Sequence, residues 1–101
     1  MESVTFEQSS AQIVRDGTEE VRINCRHDDS SLQVMLWYQH KQSSGSMNLI
    51  GYSVLQGDPV YEDQFKDRFV IKGENTVKGS LIIQRLNSSD SAVYFCAAST
   101  Q

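Results

Sequence analysis

The chain has 101 residues, nine of them basic and thirteen acidic, a formal net charge of −4, and 39% hydrophobic residues. That length suits one domain spanning residues 1–101. The acidic balance, without a clustered basic footprint, excludes nucleic acid as a main partner. No apolar run approaches the roughly 18 residues of a membrane span, so no membrane contact is expected of this segment.

In chain order, the apolar positions repeat every second residue rather than every third or fourth. Val4 and Phe6 alternate with polar neighbours. Val21, Ile23 and Cys25 alternate with Glu20, Arg22 and Asn24. Met35, Trp37 and Gln39 form an inward set, opposed by Leu36, Tyr38 and His40. Leu81 and Ile83 oppose Ser80 and Gln84, and Tyr94 and Cys96 oppose Val93 and Phe95. Such short alternating runs predict half-buried strands. Turn signals separate them: Asp16-Gly17, Asp28 to Ser31, Ser43 to Ser46, Gly57-Asp58-Pro59, Lys72 to Asn75 and Asn87 to Asp90. No long helical pattern is present, so the chain reads as a sandwich or barrel. The Trp37 and Tyr94–Cys96 strands carry apolar or aromatic side chains on both faces. A sheet covered on one side only does not need this, so a second partner is expected to cover the outer face.

Cys25 and Cys96 are 71 positions apart. The spacing excludes a Cys-x-x-Cys redox or zinc motif. Three readings remain: a zinc site recruiting His27 and His40, two buried thiols, or a disulfide in an oxidising compartment. The first is crowded, because Cys25 and His27 are only two residues apart. No catalytic constellation is legible. There is no Gly-x-Ser-x-Gly elbow and no phosphate-binding glycine loop, so neither enzyme activity nor a cofactor or resident metal is expected. The acidic pairs Glu19-Glu20, Asp28-Asp29 and Glu62-Asp63 read as solvated charges. Asn87-Ser88-Ser89 fits a glycosylation sequon.

Cys25 is followed twelve residues later by Trp37 in the run Trp37-Tyr38-Gln39-His40-Lys41, and Cys96 closes the string Asp90-Ser91-Ala92-Val93-Tyr94-Phe95-Cys96. This constellation resembles the immunoglobulin variable-type domain over nearly the whole chain. The resemblance implies an all-β, V-type Greek-key sandwich of two antiparallel sheets. It implies a Cys25–Cys96 disulfide packed by Trp37, and a corner at Tyr94 whose hydroxyl bonds upstream backbone. Arg68, in Arg68-Phe69-Val70-Ile71, is expected to pair with Asp90.

Within that family the chain resembles a T-cell receptor variable domain. Asn48 to Ser53, Gly79 to Ile83 and the ending Cys96-Ala97-Ala98-Ser99 resemble β variable segments of bony fish, although that ending also suits α or δ chains. The implied function is recognition of a peptide displayed by a major histocompatibility molecule, through loops, in the extracellular part of a membrane receptor. The implied partner is a second variable domain held against Tyr38, His40, Met47, Leu49 and Phe95. The same fold also suits a non-rearranging innate receptor or an adhesion domain. The antigen-binding loops would run about 26–34 (His27, Asp28, Asp29, Ser30, Ser31, Gln33), about 52–60 (Tyr52, Leu55, Gln56, Asp58), and from Ala97 onward (Ala98, Ser99).

Two departures from the family pattern carry expectations. His40 stands where paired domains usually have glutamine, so pairing would weaken on acidification if two histidines meet. The sequence ends at Gln101 without the joining segment that forms strand G. Strand F is then expected to show an open edge and to self-associate or swap strands.

Overall fold

Among the described residues eight strands form, five of which meet the alternating runs of the sequence. They are β1 (Phe6–Gln8), β2 (Glu20–His27), β3 (Val34–Lys41), β4 (Ser46–Val54), β5 (Val60–Tyr61), β6 (Phe69–Gly73), β7 (Lys78–Gln84) and β8 (Val93–Ser99). The computed structural model describes residues 6–8, 20–54 and 57–100. Val4, the Asp16-Gly17 turn, Glu19, Leu55 and Gln56 lie outside these described residues. The strands make two four-stranded sheets, one ordered β1-β2-β7-β6 and the other β5-β4-β3-β8. Every pairing is antiparallel. The chain crosses between sheets after β2, β5 and β7, the Greek-key sandwich expected of the sequence.

Register explains why each alternating set is where it is. Ile23 lies opposite Leu81, and Leu81 opposite Ile71, so one row of the first sheet is buried throughout. The next row, Asn24–Ser80–Lys72, faces outward. There the Ser80 hydroxyl donates to Asn24 Oδ1 at 2.8 Å and accepts from Arg22 Nη2 at 3.2 Å. In the second sheet Met35, Trp37 and Gln39 are buried, while Leu36, Tyr38 and His40 are half-buried on the other face. Trp37, Tyr94, Ile23, Ile50, Leu81 and Ile83 are the largest fully buried side chains. Burying each stabilises the fold by about 1.5–3 kcal/mol.

Cys25 and Cys96 are joined in a disulfide that ties β2 to β8, with Cα atoms 6.5 Å apart. This excludes both the zinc and the free-thiol readings of the pair. β3 and β4 shift register between Trp37 and Tyr38. Gly51 pairs with both Trp37 and Tyr61. A side chain there would run into the Val60 carbonyl oxygen and stand 3.0 Å from Ile71 Cδ1, so only glycine lets β5 lie this close.

At the end of the sandwich opposite the binding loops, a polar cluster fixes the β7–β8 connection. Asn87 caps a 3₁₀ turn at Ser88–Asp90, its Oδ1 accepting from the Ser89 amide at 2.9 Å. Asp90 closes the capping box by accepting from the Asn87 N–H at 3.0 Å. Its carboxylate also takes both ends of the Arg68 guanidinium, at 2.7 and 2.8 Å. Arg68 Nη1 donates further to the carbonyls of Gln84 and Arg85, each at 3.1 Å. Arg85 is at φ 50°, a left-handed conformation that costs a non-glycine residue about 1–2 kcal/mol. The Tyr94 hydroxyl donates to the Asp90 carbonyl at 2.6 Å and accepts from Gln39 Nε2 at 3.0 Å. Burial first, and the Asp90 charge after it, outweigh the Gln39 bond and push the Tyr94 phenol up to about 12.

Candidate binding surfaces

Two surfaces carry the residues singled out by the sequence. The first is the outer face of β3, β4 and β8. Tyr38 lies opposite Phe95 on one side and Leu49 on the other. The Tyr38 and Phe95 rings stack at 5.4 Å with 15° between their planes. His40 stands between Met47 and Val93 in the same row system. Met47 is 58% exposed, an unusual state for so large an apolar side chain. All five expected interface residues therefore share one sheet face. Leu36 and Tyr52 extend that face toward the loops, opposite one another across β3 and β4. β8 pairs with β3 alone among the described residues, so its other edge is open there.

The second surface is the loop end, where the strands run further than their apolar patterning indicates. Loop one begins at Asp28, not Arg26, because β2 continues through His27. The His27 backbone N–H donates to the Val77 carbonyl at 3.0 Å. Loop two begins after Val54, so Tyr52 belongs to β4. Ala97, Ala98 and Ser99 are all in β8, paired with Leu36, Met35 and Val34. Backbone pairing with β3 holds both of these strand ends in the sheet. Asp28, Ser30, Ser31, Gln33 and Asp58 are exposed, as loop contacts would have to be. Ser31's hydroxyl, then its amide, hold the Asp29 carboxyl below the usual carboxylate range; the Oδ1 accepts both, at 2.6 and 3.0 Å.

His27 departs from its expected place as a loop contact. It is buried, and its ring joins two loops. Nδ1 accepts the Asp29 N–H at 3.1 Å, which puts the ring proton on Nε2, 2.9 Å from the Thr76 carbonyl. The ring thus fastens loop one to the β6–β7 turn. In His27→Ala, amide exchange at Asp29 is expected to quicken about tenfold, because that donor loses its acceptor. Exchange at Ile23 in the core should not change. Hydrogen exchange followed by NMR reads both, and an unchanged Asp29 rate would show that the loop is held by other contacts.

Among the described residues, no group of three or more His, Cys, Asp or Glu side chains is placed to hold a metal ion. No helix of the described residues is long and apolar enough to cross a membrane.

A disulfide-linked V-type sandwich with an aromatic sheet face and a loop end defines a class of binding domain. The sequence matches the family Immunoglobulin V-set domain over residues 8–101, and the chain belongs to that family. It is similar to human "T cell receptor alpha variable 5", 34% identical over 93 residues, covering 92% of this chain and 78% of that protein. It is also similar to human "T cell receptor alpha variable 1-1", 32% identical over 77 residues, covering 76% of this chain and 67% of that protein. Both relatives are α segments, so neither the β-chain nor the bony-fish resemblance finds support in them. Among solved structures, a chain from "Structural basis of T cell specificity and activation by the bacterial superantigen toxic shock syndrome toxin-1" superposes with a TM-score of 0.84. That match covers 98% of this chain and 84% of that one at 24% identity, a likeness of fold.

Proposed function

We propose that this domain is one half of a paired antigen receptor of the T-cell type. It would join a second variable domain through β3, β4 and β8 and meet a peptide displayed by a major histocompatibility molecule with its loop end. The observation that carries the reading is the Tyr38–Phe95 stack flanked by Leu49 and exposed Met47, an aromatic patch on the outside of a sheet. Such anchors at the centre of a patch supply most of an interface's energy. The chemistry is binding alone, with Asp28, Asp29, Ser30, Ser31, Gln33 and Asp58 as adaptable polar contacts. The α-segment relatives favour an α-type chain over a β-type one. The setting is the extracellular part of a membrane receptor. Asn87 is exposed at the far end of the sandwich, where a glycan would leave both surfaces free.

Sedimentation of this chain mixed with candidate partner V domains tests the pairing. Phe95→Lys is expected to weaken the heterodimer about 30-fold, the scale of losing one central aromatic anchor. Undiminished pairing by that variant would remove this face from the interface. The gene sequence beyond Gln101 separates the alternative, since a recombination signal there fits a rearranging receptor and a germline-encoded strand fits an innate or adhesion domain.

A further inference from the structure

Between the two sheets at the loop end lies a cavity of about 330 Å³. Met35 and Ile71 form its apolar floor, with Val54 and Pro59 beside them. Ser53 also lines it; this residue is only 9% exposed, and its hydroxyl has no hydrogen-bond partner among the described residues. Gly73 faces Ser53 across the space, and a Cβ added there would stand 3.3 Å from the Ser53 Oγ. Glycine at this position therefore keeps the hydroxyl open to the cavity.

β6 supplies further polar groups. Among the described residues it ends its sheet, paired with β7 alone. The Ile71 N–H, directed away from β7, is taken by the Tyr61 hydroxyl at 2.8 Å. Alternation directs the Gly73 N–H and C=O to the same open side, where no described residue bonds them. Lys72 is the one charged residue of the lining among the described residues. It alternates with Ile71 and Gly73, so its side chain belongs to the outer row with Ser80 and leaves the cavity without a charge.

We propose that this cavity binds a small neutral molecule with a compact apolar body and one amide or lactam group. The body rests on Met35 and Ile71. The amide oxygen accepts from the Ser53 hydroxyl and the Gly73 N–H, and the amide N–H donates to the Gly73 carbonyl. The volume equals about eleven waters' share of liquid, which sets the ligand at about ten non-hydrogen atoms. That is the lower end of the size of small-molecule sites, about 300–1,000 Å³. The site lies apart from the pairing face and shares Gln33 with the loop end.

Phenylacetamide, which has this size and chemistry, is the probe, titrated into the ¹⁵N-labelled chain and followed by NMR. Saturable shifts are expected at the Ser53, Ile71 and Gly73 amides, with a dissociation constant of about 1 mM or tighter. Ser53→Ala should weaken binding about fivefold or more, the worth of one hydrogen bond, and Gly73→Ala should weaken it similarly by setting a methyl 3.3 Å from the Ser53 Oγ, where the amide would lie, while both spectra stay dispersed as in the parent. N,N-dimethylphenylacetamide, lacking the donor, should lose a similar factor. The proposal is overturned by shifts that do not saturate or are scattered over the surface. It is overturned equally if Gly73→Ala or the dimethyl amide binds as well as the parent pair. Binding that appears only in Leu55→Ala would overturn it too, by showing that the chain's own side chain occupies the space.

Discussion

Replacing both Cys25 and Cys96 by alanine is expected to lower the unfolding free energy by about 4 kcal/mol, from the loop-closure entropy of a crosslink spanning 71 residues. The native contacts are not the main source of this loss. Without the bond, β2 and β8 are free to separate in the unfolded chain, and that ensemble gains what the crosslink had removed. Truncating two buried side chains adds a packing cost, since Cys25 and Cys96 both belong to the central cluster. A domain of this size has a total stability of roughly 5–15 kcal/mol, so the variant should sit near the edge of folding at 37 °C. Urea unfolding followed by circular dichroism gives the difference. A loss under about 1 kcal/mol would show that packing around Trp37 holds the sheets together unaided.

Asp90→Ala is expected to cost about 3 kcal/mol, because it leaves Arg68 without its carboxylate and the 3₁₀ turn without its capping box. The Asp90 side chain is 3% exposed and that of Arg68 23%, so the arginine would be left half-buried without its carboxylate. The Asn87 N–H would lose its acceptor and the 3₁₀ turn its capping box. The pH dependence follows from the same contacts. Burial alone would raise the Asp90 carboxyl, but the Arg68 hydrogen bonds, the Asn87 N–H and the Arg68 charge outweigh it, and the group lies below the ordinary carboxylate value. A carboxyl depressed by folding contributes stability that is fully present above its unfolded value, near pH 4, and is lost as pH falls through the depressed one. Parent and Asp90→Asn stability curves should therefore run at a constant distance above about pH 4 and converge as pH falls below it. Parallel curves across that window would mean that the carboxylate's charge contributes nothing.

The sequence made the strand interiors and the two sheet faces legible, because burial on one side leaves a period-two trace. Val21 to Cys25 and Met35 to Gln39 read correctly residue by residue. Strand ends read less well. Tyr52, Ala98 and Ser99 were expected in loops, and partner strands extend the ladder over all three without asking anything of their side chains. His27 was expected in loop one by its position, yet both ring nitrogens are satisfied in a buried position by carbonyl and amide groups that no local pattern announces. The cavity at Ser53 was not legible at all. Its walls come from β3, β4, β6 and three connections, and a serine between apolar neighbours leaves no periodic mark. The Arg68–Asp90 pair was legible only through resemblance, since 22 positions separate the two residues.

Trp37 is the single tryptophan of the chain and has no exposed surface. It sits on β3 beside Cys96 of β8, inside the one cluster that both sheets share. Its fluorescence therefore comes from one site in one apolar surrounding, and the emission must shift to longer wavelength when water enters between the sheets. The domain carries its own optical gauge of sheet separation, without label or substitution. Comparing that signal with circular dichroism separates loosening of the core from loss of the strands themselves, and coincident curves would establish that the two happen together.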